Sequence, residues 1–289
     1  MNTNHTLIAM LLDASGSMSN IRQATVAGIN SFIQEQTAAN TGHEHHEIDL
    51  SPDLTGGPTL SCNLTLAAFA SGNYGNIMSN NGEPTDIDYS YTVIYNNVPI
   101  QDTNSSWSNQ YATSGGTPLL DAACKCIDDT KKQIAALPEA QKPGRVIFVL
   151  ITDGEENTSK KFKKADLTQR IQEQTDNEHW QFIFLGANQD AIQEGADSGV
   201  AVNNSMTYAA NDAGVLRAFA STSSMVTAKR YTHNAADMSN VGYAISDYAS
   251  QDQLLGSAVN MRHFSGSNNT AGTPMNIAQG VAIPENKKP

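Results

Sequence analysis

Basic residues are scarce in this sequence: 17 Lys and Arg stand against 29 Asp and Glu, a formal net charge of −12 over 289 residues. Non-specific nucleic-acid binding and attraction to an anionic membrane surface both need a basic field, so neither is the default function. Cysteine is nearly missing. Cys62, Cys124 and Cys126 are too few, and odd in number, for a disulfide framework, which suits a reducing compartment. Cys124 and Cys126, two apart on a helical pattern, point to different faces and are read as packing residues. Long hydrophobic runs are missing too. Leu7–Leu12 has no basic segment before it and is too short for a signal-peptide core or a membrane span, and no later run is longer. Charged residues of both signs make up only 16%, against roughly 25% in ordinary soluble domains. Asn, Ser, Thr, Gln and Gly must therefore cover much of the surface.

Short apolar runs without alternation are present: Leu7–Leu12, Val146–Ile151 and Phe182–Leu185. Such runs fit strands buried on both faces of a parallel sheet. Between them lie segments of helical period. Ile21, Thr25, Ile29, Phe32 and Ile33 mark one, with Asn20 and Gln23 placed for a capping box. Leu120, Cys124, Ile127, Ile134 and Leu137 mark a second, closed by Pro138. Two more are expected at roughly 164–175 and 212–229. Strand alternating with helix implies crossovers and a doubly wound α/β sheet. Leu64–Ala70 and Tyr91–Tyr95 interrupt the alternation and predict an antiparallel edge.

The expected organisation is one domain over 1–238 and a Gly/Asn/Ser-rich tail over 239–289, extended or packed on that domain. Polar insertions are read at about 41–60 and 71–90. The first holds His43, Glu44, His45, His46 and Glu47, whose spacing fits no standard zinc motif and is read as an exposed loop. Lys160, Lys161, Lys163 and Lys164 are read as a solvated helix start, Glu155 and Glu156 as a solvated loop, with tuning of a nearby site or a partner contact as the alternative, and Trp107 and Trp180 as packing residues.

The chemistry gathers at strand ends. The first apolar strand runs into Asp13-Ala14-Ser15-Gly16-Ser17, at the carboxyl edge of the sheet where open α/β folds bind ligands. Gly16 lets the turn bend, so the Ser15 and Ser17 hydroxyls converge with the Asp13 carboxylate, a set suited to a hard, oxygen-ligated cation. The run Val146–Ile151 ends likewise in Thr152-Asp153-Gly154. If the two strands are neighbours, Asp13 and Asp153 lie side by side and repel unless a cation or proton intervenes. Ser114-Gly115-Gly116-Thr117-Pro118 is a flexible turn that starts the second helix with a free threonine hydroxyl.

Asp13, Ser15 and Ser17, followed by Thr117 and Asp153, resemble the metal-ion-dependent adhesion site (MIDAS) of von Willebrand factor type A (VWA) domains. The likeness covers roughly residues 5–235. It implies a Rossmann-like, mostly parallel six-stranded sheet in the order 3-2-1-4-5-6, strand 3 antiparallel, with helices on both faces. Thr117–Ala122, Thr152–Asn157 and Leu185–Ala191 are similar to stretches of stand-alone bacterial and phage VWA proteins, from which the two insertions depart.

The resemblance implies Mg²⁺ (or Mn²⁺) held directly by Ser15, Ser17 and Thr117, and directly or through water by Asp13 and Asp153. An acidic side chain of a protein partner takes the remaining position. The function so implied is a non-catalytic, metal-dependent protein-binding module for adhesion or assembly, in the cytoplasm of a bacterial or phage-infected cell or on a virion. The alternatives are a structural or adhesive component of a phage particle, and a subunit beside an ATPase, assembling through the insertions or the tail. A metal-dependent hydrolase fits less well: the sequence has no Gly-x-Ser-x-Gly elbow, no Walker loop and no second carboxylate directly after Asp13.

Overall fold

The computed structural model describes residues 2–41, 60–71, 89–187, 190–232 and 235–265. The His43–Glu47 stretch, most of both insertions and residues 266–289 of the tail lie outside the described residues.

Six strands form one sheet: β1 (Asn2–Asp13), β2 (Ser61–Ser71), β3 (Tyr89–Pro99), β4 (Pro143–Thr152), β5 (Gln181–Ala187) and β6 (Ser205–Tyr208), in the order β3-β2-β1-β4-β5-β6. Only β3 runs antiparallel, against β2. This is the doubly wound order expected above. β1 sits centrally, with Leu12 opposite Ala68 of β2 and Ile151 of β4. The helices are α1 (Arg22–Ala38), α2 (Leu119–Ala136), α3 (Lys164–Glu178), α4 (Ala191–Asp197), α5 (Asp212–Tyr231), α6 (Ala235–Asn240), α7 (Ile245–Leu255) and α8 (Arg262–Ser265). None of them is long and apolar enough to cross a membrane.

Strand period two sends successive β1 side chains to opposite faces. Ile8, Met10 and Leu12 enter the core shared with Phe32 of α1 and Phe219 of α5. Leu7, Ala9 and Leu11 enter the one shared with Ile127 of α2 and Ile171 of α3. Burial on both faces is why the run shows no polar alternation. Trp107 and Trp180 are buried packing residues, and all three cysteines are buried and free.

The first helix departs from expectation. A 3₁₀ turn spans Gly16–Ile21, and α1 opens at Arg22 with no side-chain cap, so Asn20 and Gln23 form no capping box. The chain between β1 and α1 is committed to Ser15 and Ser17, and Arg22 is tied to the Tyr111 and Ser108 carbonyls at 2.8 Å. β6 has four residues and α4 seven, too short for a periodic signal.

Residues 241–265 contribute buried Tyr243, Tyr248 and Asn260. Asn260 bonds both the Thr207 N–H (2.8 Å) and its carbonyl (2.9 Å), holding this segment against β6. Fully buried Lys229 of α5 donates to the Val241 carbonyl (2.6 Å), the Met238 carbonyl (2.8 Å) and Gln181 Oε1 (3.1 Å). Burial pulls its ammonium down to about 7. Lys229→Met leaves three buried oxygens without that donor, at about 1–3 kcal/mol for each left unsatisfied. Amide exchange over 235–265 is expected to speed up about tenfold or more; unchanged protection there would show that Lys229 does not hold the segment.

Candidate metal centre

β1 and β4 are neighbours and end at the same edge, which brings Asp13 beside Thr152 and Asp153. Asp13 Oδ1 accepts the Ser15 N–H at 2.7 Å, and Oδ2 accepts the Thr152 hydroxyl at 2.7 Å. Ser15 and Ser17 share a hydroxyl–hydroxyl hydrogen bond of 2.9 Å, and Ser17 donates to Asp153 Oδ1 at 2.6 Å. Asp13, Ser15, Ser17 and Asp153 thus form one continuous network.

Thr117 arrives on the third loop. Ser114 N–H donates to the Ala14 carbonyl (2.8 Å), Gly16 N–H to the Gly115 carbonyl (2.9 Å) and Ser71 N–H to the Gly116 carbonyl (2.9 Å). These bonds lay the loop across the ends of β1 and β2. A Cβ placed on Gly154 would stand 3.0 Å from Thr117 Oγ1 and 3.5 Å from Ser17 Oγ, so both hydroxyls lie beside that glycine. The structure therefore brings all five residues singled out in the sequence to one place. Asp13, Ser15 and Thr117 form a buried floor, Asp153 is partly buried and Ser17 is exposed at the lip.

The charge balance is unusual for buried groups. Burial lifts the Asp13 carboxyl to about 6, with hydrogen bonds from Thr152 and Ser15 pulling down and Asp153 pushing up. Asp153 is raised as well, again chiefly by burial. No lysine or arginine among the described residues pairs with either. Buried carboxylates ordinarily sit with a cation or a full set of donors. The oxygens here are carboxylate and hydroxyl only, the donor chemistry of Mg²⁺ or Mn²⁺. No group of three or more His, Cys, Asp or Glu side chains suited to a metal occurs among the described residues, so the hydroxyls are essential to any such site.

Sequence reasoning missed the groups around this set. Tyr111 donates to the Asp13 carbonyl at 2.7 Å, and its hydroxyl is kept protonated first by burial and then by the Asp13 charge. Glu156, read as part of a solvated loop, instead accepts the N–H groups of Leu120 (2.9 Å), Thr158 (2.9 Å) and Ser159 (2.7 Å), and the Ser159 hydroxyl (2.7 Å). Asp121 accepts the N–H groups of Lys160, Lys161 and Phe162. In the sequence each looks like one more acidic residue near a helix start, and nothing local says which backbone it serves.

No family model matches the chain, and no curated protein matches it. Among solved structures the chain is similar to proximal thread matrix protein 1 (PTMP1) from the mussel byssus, at 13% identity and TM-score 0.48, over 78% of this chain and 47% of that one. A structure of the same mussel protein with a zinc-occupied MIDAS motif matches at 12% identity and TM-score 0.49, over 75% of this chain and 46% of that one. The chain thus spans about half the length of the protein it matches.

Proposed function

We propose that this protein is a divalent-cation-dependent protein-binding module of the VWA type, with Asp13, Ser15, Ser17, Thr117 and Asp153 as the ligands of one Mg²⁺ or Mn²⁺. The observation that carries this reading is the convergence, on one sheet edge, of a buried and a partly buried carboxylate, with no cationic partner among the described residues, and three hydroxyls. When bound, the cation supplies an electrophilic position for a carboxylate of a partner protein.

The protein's own residues set the terms. Neutral Ser15, Ser17 and Thr117 orient lone pairs without adding charge, so the two carboxylates balance one divalent ion and leave it open to a further anion. Asp13 has both oxygens engaged by donors, which supports a role in holding an ion rather than in general-base catalysis. The exposed lip at Ser17 and Gly16 gives a partner access. With a net charge of −12, the long-range field opposes an acidic partner, but screening confines this to about 8–10 Å at ordinary salt. Binding then rests on contacts around the ion, in adhesion or assembly. Three free, buried cysteines support a reducing, cytoplasmic setting.

Calorimetric titration with Mn²⁺ or Mg²⁺ is expected to show a single site, lost in Asp13→Ala, and chelator is expected to release a captured partner. No uptake at millimolar metal would sink the assignment. A partner retained both in chelator and by the Thr117→Ala variant would show that recognition bypasses the ion.

A further inference from the structure

The helix that follows Thr117 cannot cap itself. α2 begins after Pro118, whose side chain makes no capping bond, and the first N–H groups of any helix have no intrahelical partner. Here they are satisfied from another loop: the Leu120 N–H by Glu156 Oε2 at 2.9 Å and the Asp121 N–H by Ser159 Oγ at 3.1 Å. The favour is returned. Asp121, in the first turn of α2, accepts the Phe162 N–H (2.7 Å), the Lys160 N–H (2.8 Å) and the Lys161 N–H (3.0 Å). Between these two grips, Asn157 Oδ1 accepts the Thr117 N–H at 2.9 Å, and the Asn157 N–H donates to the Thr117 carbonyl at 3.2 Å. Two loops from different strands are stitched into one body, with Thr117 at one end and Asp153 at the other.

We infer that Asn157 is the positioning residue for Thr117, and that Glu156 and Asp121 act as a double clasp keeping it in register with Asp153. The inference rests on the cation-site reading for its consequence but not for its geometry. A hydroxyl ligand contributes only when its oxygen is held in place, and residues behind metal ligands typically govern about 10–100-fold in affinity. Asn157 fixes the backbone of Thr117 on both its N–H and C=O sides, with the hydroxyl beside Gly154, where Ser17 Oγ also lies.

The test compares Asn157→Ala, which removes the acceptor, with Asn157→Asp, which keeps it. Asn157→Ala is expected to weaken Mn²⁺ binding about 10–100-fold, whereas Asn157→Asp stays near or above the wild-type affinity. The double variant Asn157→Ala/Thr117→Ala should lose no more than Thr117→Ala alone, because both act through one hydroxyl. In metal-free protein the Thr117 amide should exchange faster in Asn157→Ala and keep its protection in Asn157→Asp. Glu156→Gln, which keeps one acceptor oxygen, is the milder variant and should weaken binding in the same direction with a cooperative unfolding transition retained. Additive losses in the double variant, or equal behaviour of the Ala and Asp variants, would overturn the positioning role. Should wild-type protein take up no Mn²⁺, the cation reading falls by itself, and the Thr117 amide exchange still decides the clasp.

Discussion

Replacing Asp13 with asparagine is expected to have two opposite effects: cation uptake is abolished, and the metal-free protein becomes more stable at pH 8 by about 3 kcal/mol. Asp13 is fully buried, and its carboxyl is lifted from an ordinary 3.8 to about 6. At about 1.4 kcal/mol per pH unit, holding the charged form in that place costs roughly 3 kcal/mol above pH 7. Asparagine keeps the Oδ1 acceptor for the Ser15 N–H, and the Thr152 hydroxyl already has the Gly154 carbonyl as an alternative acceptor at 2.9 Å.

The sign of the pH dependence follows from the same shift. A carboxyl that holds its proton more tightly when folded contributes stability below its ordinary pKa, and that contribution is lost as pH rises from about 4 through about 6. Metal-free wild type should therefore lose melting temperature across this window, and Asp13→Asn should lose much less. Excess Mg²⁺ or Mn²⁺ should restore the wild type near pH 8, by about 2.7 kcal/mol at a hundredfold excess over Kd, and leave the variant unmoved. Thermal melts with and without metal read all three effects. A variant no more stable than wild type at pH 8 would show that Asp13 carries no burial cost, and one that still binds metal would remove it from the ligand set.

Gly115→Ala is expected to be the most damaging added methyl group among the described glycines. Gly115 sits at φ +75°, and a Cβ there would lie 1.4 Å from the Ser71 carbonyl oxygen and 2.6 Å from its carbon. Both clashing atoms are backbone, so no side chain can turn aside. Either the loop lifts from the end of β2, breaking the bond from Ser71 N–H to the Gly116 carbonyl, or β2 shifts beneath it. Overpacking of this kind costs about 1–3 kcal/mol or more, and the left-handed backbone adds about 1–2 kcal/mol for a residue with a Cβ.

Because Thr117 lies two residues on, cation affinity should fall together with stability. Gly256→Ala provides the control. That glycine has a similar φ of +68° with nothing within 4 Å of a built Cβ, so it should bear the backbone cost alone and bind metal normally. Equal melting temperatures for the two variants would refute the clash.

How much was legible from sequence follows from the range of each interaction. The uniformly apolar runs of β1, β4 and β5 announced strands buried on both faces, because burial acts residue by residue. Asp13 and Asp153 were legible because a strand that stops at an Asp-Gly or Asp-x-Ser turn places its carboxylate at the sheet edge whatever surrounds it. Thr117 stood out only as a free hydroxyl at a Gly-Gly turn before a helix; the resemblance to the VWA adhesion site joined it to the other four.

The rest depended on neighbours far along the chain. Glu156 reads as one more loop acid until β1 and β4 pair and bring its loop over the start of α2, where it meets the Leu120 N–H. Nothing local in the sequence marks Lys229, which meets the Met238 and Val241 carbonyls only once the chain has folded. α1 begins at Arg22, one residue past the start that a cap at Asn20 would give, because Gly16–Ile21 winds as a 3₁₀ turn and Arg22 is held by carbonyls of a distant loop. Hydrophobic period and turn chemistry are local, and they determined the strands, the doubly wound class and the strand-end positions of Asp13 and Asp153. Which backbone a carboxylate caps, which hydroxyls lie together and which charges are left without a partner depend on contacts between strand ends distant in sequence, and only the tertiary structure decided those.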